Sequence, residues 1–194
     1  MQIDLCNKLV DNELTREELL GRVEIRKASI EDLEDICRTL ARSFDLSSPL
    51  EALFQMEHSN ARLNESVKLV DKETNEIYGL LIFCEYPISE GSPIMMLERQ
   101  LGEYLGGFKQ INGHSFIIDE RLRGCGLDKK MLDFNVDYLK DNYDIIWIAV
   151  EKSLKSLPYW CKLGFIDIFI IEEATFLMLP LSNKMINEIL KTNV

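Results

Sequence analysis

Ile111-Asn112-Gly113-His114-Ser115-Phe116-Ile117-Ile118-Asp119-Glu120-Arg121-Leu122-Arg123-Gly124-Cys125-Gly126-Leu127-Asp128-Lys129-Lys130-Met131-Leu132 is the stretch around which the chain is organised. Phe116, Ile117 and Ile118 read as an apolar strand, the two glycines as a loop, and the residues behind them as an amphipathic helix. Gly124 and Gly126 carry no Cβ, so several N–H groups can converge on one anion at the positive end of a helix dipole. Arg121, Arg123, Lys129 and Lys130 crowd the same few residues of a chain whose formal net charge is −11. Such a local cluster beside a Gly-rich turn suits a phosphate-bearing ligand. A helix start with ordinary surface charges accounts for the same residues.

A Walker loop is absent, and a dinucleotide fingerprint would need a glycine where Lys129 stands. Arg123-Gly124-Cys125-Gly126-Leu127-Asp128, followed by Lys-Lys-Met-Leu, resembles instead the acyl-CoA pyrophosphate loop of the GNAT superfamily of N-acyltransferases, Arg/Gln-x-x-Gly-x-Gly/Ala at the end of the fourth strand. Two frames fit. In one, Arg123 and Gly126 match and Asp128 takes the last small-residue position; in the other, Arg121, Gly124 and Gly126 satisfy the whole pattern. The first is preferred because it leaves the helix unbroken behind the loop. It also puts a carboxylate near the pyrophosphate, which weakens the site unless Asp128 turns away. Trp160-Cys161-Lys162-Leu163-Gly164-Phe165 is similar to the family's Tyr-x-Lys-Leu-Gly-Phe ending of the fourth helix.

At 194 residues and 46% hydrophobic content the chain is long and apolar enough for one domain with a real core. Its acidity argues against nucleic acid, whose partners need a broad basic face. No run is long enough to span a membrane and the acidic start lacks a signal-peptide build, so a cytoplasmic protein is expected. Cys6, Cys37, Cys84, Cys125 and Cys161 are scattered and unpaired by spacing, which reads as reduced thiols with no zinc site.

Residues 1–20 read as an extension, helical where Thr15-Arg16-Glu17-Glu18 supplies a cap and ending at Gly21. Val23 to Ala28 alternates as a first strand. Ser29 and Asp32 open a helix with Ile30, Leu33, Ile36, Cys37, Leu40 and Phe44 on one stripe. Ser48-Pro49 starts a second helix running towards Asn64. Residues 66–87 read as a hairpin, 88–109 as a connection with a short helix, and 144–150 as a buried strand. A short helix closed by Gly164, a last hairpin over 165–181 and a helix over 182–194 follow.

This order is the GNAT order over residues 23 to about 181, with the domain itself placed at 21–181. The resemblance implies an α/β fold with a mixed sheet of six to seven strands, splayed between the fourth and fifth, around Ile118 and Ile148, to admit acyl-CoA. Pantetheine amides would add to the edge of the strand holding Ile117 and Ile118, and the pyrophosphate would lie on the amides of Cys125, Gly126, Leu127, Asp128 and Lys129, beside Arg123 and Gly124. Ser153 stands where members often carry an Asn that contacts CoA. The implied reaction is direct acetyl transfer from acetyl-CoA to a primary amine, without a metal. A base strips the ammonium proton, backbone amides polarise the thioester and an acid protonates the thiolate.

His114 is the candidate base, and a hydrogen-bonded strand histidine is the plain alternative. The family's frequent acid is a Tyr where Trp160 stands, so the role is unfilled or passes to Tyr159. An acyl-cysteine at Cys125 or Cys161 has no partner that spacing supplies. Asp128, Trp160 and Ser153 leave open a second reading, a domain without chemistry that binds CoA or a protein partner as a sensor or scaffold. A longer-chain acyltransferase is a third. The resemblance also leaves room for a homodimer.

Overall fold

The computed structural model describes residues 14–84, 107–151, 156–171 and 174–192. Within them a seven-stranded mixed sheet has the spatial order β1 (Val23–Lys27), β2 (Val67–Asp71), β3 (Ile77–Cys84), β4 (Gln110–Ile118), β5 (Ile145–Glu151), β7 (Ala174–Pro180), β6 (Ile166–Ile171). Every neighbouring pair is antiparallel except β4 and β5, which run parallel. A parallel pair cannot be closed by a hairpin. The crossover is supplied by the helix α4 (Leu127–Leu139), entered through the glycine loop.

The helices divide between the two faces. Met131, Leu132 and Leu139 of α4 pack against Leu69, Leu81, Phe83, Ile111, Ile146 and Ile148 on one face. On the other, Ile36 and Leu40 of α2 (Leu33–Ser43) and Ala52 and Met56 of α3 (Pro49–His58) cover Val70, Leu80 and Ile82. β5 lies inside the sheet with Ile145 and Ile146 fully buried, as its continuous apolar run required. A short α5 (Leu157–Lys162) and a terminal α6 (Asn183–Thr192) complete the order, with Met185 of α6 packed on Ile145, Trp147 and Met178.

Several boundaries differ from the sequence reading. Ser29 and Asp32 form their reciprocal cap around a single 3₁₀ turn, Ile30–Asp32, and the α-helix begins at Leu33. Ile30 is therefore out of phase with the apolar stripe and exposed. Phe44 follows the last helical turn and is half exposed. α3 stops at His58, where Asn60 takes a positive φ of 53°. At the N-terminal end, Thr15 and Glu18 form the capping box of α1 (Arg16–Arg22), but the helix runs through Gly21 and its Leu19 is buried in the core beside α4. The expected short helix within 88–109 lies outside the described residues up to 106.

Candidate active site

β4 and β5 pair only from Gln110/Ile145 to Gly113/Ile148, after which each continues without the other. The last pair is unusually close: a Cβ on Gly113 would lie 2.8 Å from Ile148 Cγ2. Any larger residue there would push the strands apart where they must still meet. On the opposite edge of β4 the register with β3 shifts, Ile82 facing Ser115 and Phe83 facing Gly113, so His114 is an extra, bulged residue. A bulge bends and twists its strand and re-aims a side chain. The strand thus turns away from β5 at His114, and β5 stays held by β7 as far as Glu151/Ala174.

The resulting cleft has a volume of about 970 Å³ and reaches both faces of the sheet. Its walls include Phe44 and Arg42 from the end of α2, His114 to Asp119 of β4 and its continuation, Ile148 to Val150 of β5, and Tyr159 and Trp160 of α5. His114 Nδ1 lies 2.7 Å from Ser115 Oγ, and burial pushes the imidazole pKa below its usual value. The neutral ring is accordingly the dominant form near pH 7. Ile117 and Ile118 lie on the free stretch of β4 and line the cleft, as does Arg123, whose Nε donates to the Ile118 carbonyl at 3.2 Å.

Where β4 ends, a smaller recess of about 170 Å³ is framed by Phe116, Ile118, Arg123, Gly124, Asp128 and Tyr159. Gly124 and Gly126 have φ of +74° and +72°, the left-handed region that glycine enters without a steric penalty. A Cβ on Gly126 would meet nothing within 4 Å, so the space above the loop is open on that side. Gly126 is the N-cap of α4, and the Leu127 and Asp128 amides of the first turn have no hydrogen-bond partner among the described residues. The Leu127 side chain is buried in the core, leaving only its backbone to a ligand.

The first turn of α4 already holds an anion of its own. Asp128 accepts the Lys129 N–H at 2.8 Å through Oδ1 and the Tyr159 hydroxyl through Oδ2. Burial first, and the Asp128 carboxylate second, push the Tyr159 phenol well above its usual pKa. The hydroxyl therefore keeps its proton across the physiological range. Trp160 is an aromatic packing residue, with ring centroids 5.5 Å from Phe116 and 5.3 Å from Phe165.

The basic cluster is partly neutralised. Arg121 forks onto Asp119 at 2.9 and 3.0 Å, and Lys129 pairs with Asp133 on the next turn of α4. A further cation arrives from a distant part of the chain: Arg16 of α1 donates to the Arg123 carbonyl and to Cys125 Sγ. Nothing in the local motif signals Arg16, which stands 109 residues from Cys125. Ser153 lies outside the described residues.

No family model matches this chain, and no curated protein matches it by sequence. Solved structures do. The GNAT family N-acetyltransferase YhbS of Escherichia coli, in complex with CoA, superposes with a TM-score of 0.59 at 18% identity, covering 86% of this chain and 85% of that one. The fold is that of the GNAT superfamily. FeeM, an N-acyl amino acid synthase from uncultured soil microbes, gives a TM-score of 0.59 at 18% identity over 82% of this chain and 91% of its own. The ribosomal-protein-S18-alanine N-acetyltransferase of Escherichia coli gives 0.57 at 14% over 82% and 94%. Among the described residues no helix is long and apolar enough to cross a membrane.

Proposed function

We propose that this chain is an acyl-CoA-dependent N-acyltransferase that moves an acetyl group from acetyl-CoA to a primary amine of a small molecule or peptide, in the cytoplasm. The observation that carries the reading is the coincidence of three features at one place. β4 leaves β5 at a bulged histidine, the cleft so formed reaches both sheet faces, and a two-glycine loop with open space above Gly126 adjoins it. A thioester and an amine entering from opposite faces would meet beside His114.

His114 would accept the ammonium proton at Nε2, since Nδ1 is engaged with Ser115 Oγ. Its lowered pKa keeps the ring neutral and ready for that proton. The amine nitrogen then bonds to the thioester carbon while the free stretch of β4 offers backbone N–H groups to the carbonyl oxygen. The C–S bond breaks, and the second proton shed by the amine nitrogen passes to the departing thiolate, leaving the amide and a free thiol. With its raised pKa, Tyr159 is a poor proton source, and it would donate a hydrogen bond to the thiolate only by turning its one O–H away from Asp128. Arg123 and the loop amides would hold the pyrophosphate.

One observation favours the other reading, a domain that has given up acyl transfer. The Asp128 carboxylate lies on the first turn of α4, where it competes with a bound phosphate. Calorimetric titration with CoA and with acetyl-CoA, followed by an amine screen for thiol release, separates the two. Micromolar binding with turnover supports the transferase; the absence of binding would move the assignment to a scaffold.

A further inference from the structure

We infer that Arg16, on the N-terminal helix α1, is a positioning residue and phosphate contact of the donor site, so that α1 belongs to that site. The inference rests on the acyl-CoA reading of the glycine loop.

Three observations carry it. Arg16 Nη2 donates to the Arg123 carbonyl, and Nε and Nη2 lie 3.3 and 2.9 Å from Cys125 Sγ. These are the two groups of the loop that would otherwise turn electron density towards an incoming phosphate. With both covered by a cation, the Asp128 carboxylate is the acceptor group left facing the recess. Secondly, Arg16 meets no carboxylate among the described residues, whereas Arg121 and Lys129 are each paired with one. Its charge is thus not cancelled locally, and Nη1 has no partner among the described residues. A guanidinium has five N–H donors in a rigid fork, so holding the loop leaves a pair for a phosphate oxygen.

The third observation concerns how Arg16 is held. α1 is fixed independently of this contact: Thr15 and Glu18 cap it reciprocally, Leu19 is fully buried, and Arg22 bridges to the buried Asp71. A guanidinium on an anchored helix turn is brought to the loop at little further entropic cost, since the backbone beneath it is already ordered. The geometry also explains why a loop bearing Asp128 could still bind an anion. Arg16 adds a counter-charge to those of Arg123 and Lys130, which likewise meet no carboxylate among the described residues.

The test compares two probes on the full chain: CoA, measured by calorimetry, and pantetheine, which lacks the diphosphate, measured by ligand-observed NMR. Losing a charge-assisted hydrogen bond should weaken CoA binding of Arg16→Ala about tenfold or more, with the ratio of CoA to pantetheine affinity falling by the same factor. Arg16→Lys, which keeps the charge without the fork, should recover part of the loss. A thermal melt unchanged by either variant shows that α1 stays docked. Equal losses for CoA and pantetheine, or no loss in Arg16→Ala, would overturn the inference while leaving the donor site standing. A wild-type protein that binds neither probe would remove the acyl-CoA reading and this inference with it.

Discussion

Replacing Asp128 by Asn should make this protein bind CoA more tightly. The carboxylate lies in the first turn of α4, accepts the Lys129 amide at 2.8 Å and frames the recess with Arg123 and Gly124. A phosphate bound to that turn would stand roughly 5 Å away. Between unit charges at that separation the repulsion is about 1 to 3 kcal/mol for an effective dielectric between those of water and a protein surface. Screening at about 0.1 M salt and the exposure of the site favour the lower end. A gain of about 1 kcal/mol corresponds to roughly fivefold in Kd, rising towards tenfold if both phosphates feel the charge. Asn keeps one oxygen to accept the Lys129 N–H, and its Nδ2–H can donate to the Tyr159 hydroxyl oxygen with that bond reversed, so the geometry should survive. Calorimetric titration of both proteins at 50 and 200 mM salt measures the effect, which should shrink as salt rises. Equal or weaker binding by Asp128→Asn at low salt would refute the electrostatic account of the loop.

Gly126→Val should unfold nothing yet abolish CoA binding. Its Cβ would meet open space, but a φ of +72° costs a β-branched residue about 1–2 kcal/mol and puts carbon where the ligand would lie; retained affinity in a folded variant would contradict the loop assignment. For His114, the depressed pKa puts the ascending limb of the rate–pH profile below about pH 6.5, the reference value. His114→Ala should lower the rate at saturating donor and erase that limb, and an unaltered profile would exclude His114 as base. Asp71, buried and hydrogen-bonded by Arg22 and the Glu73 and Thr74 amides, has its pKa lowered to about 2 from an ordinary 3.8. The folded carboxyl binds protons more weakly than the unfolded one. Its stabilisation is therefore complete above about pH 4 and lost as the pH falls to about 2. Asp71→Asn should cost about 1–3 kcal/mol in urea unfolding at pH 7 and flatten the acid-side decline between those limits.

Local chemistry made much of this protein legible from its sequence. The Thr15–Glu18 and Ser29–Asp32 caps, Ser48-Pro49 at a helix start and the apolar run of β5 each act through neighbours in the chain, so their residues announce them. The glycine loop belongs to the same class, because a positive φ at Gly124 and Gly126 is a property of those residues alone. Together with the order of elements these residues carry the resemblance to the GNAT superfamily, and it is the resemblance that implies a mixed sheet opening between its fourth and fifth strands.

Tertiary structure decided what depended on partners distant in sequence. The bulge at His114 exists only in the register of β4 against β3, and no alternation within β4 reveals which residue is extra. Trp160 found a place among Phe116 and Phe165 while Tyr159 reached Asp128, a contact 31 residues away. Arg16 reads as part of a capped surface turn until folding lays it across the glycine loop. Helical and turn propensities are summed along the chain, but the charge that faces a ligand is summed in space, and only the packed sheet brings α1 and α5 to the loop.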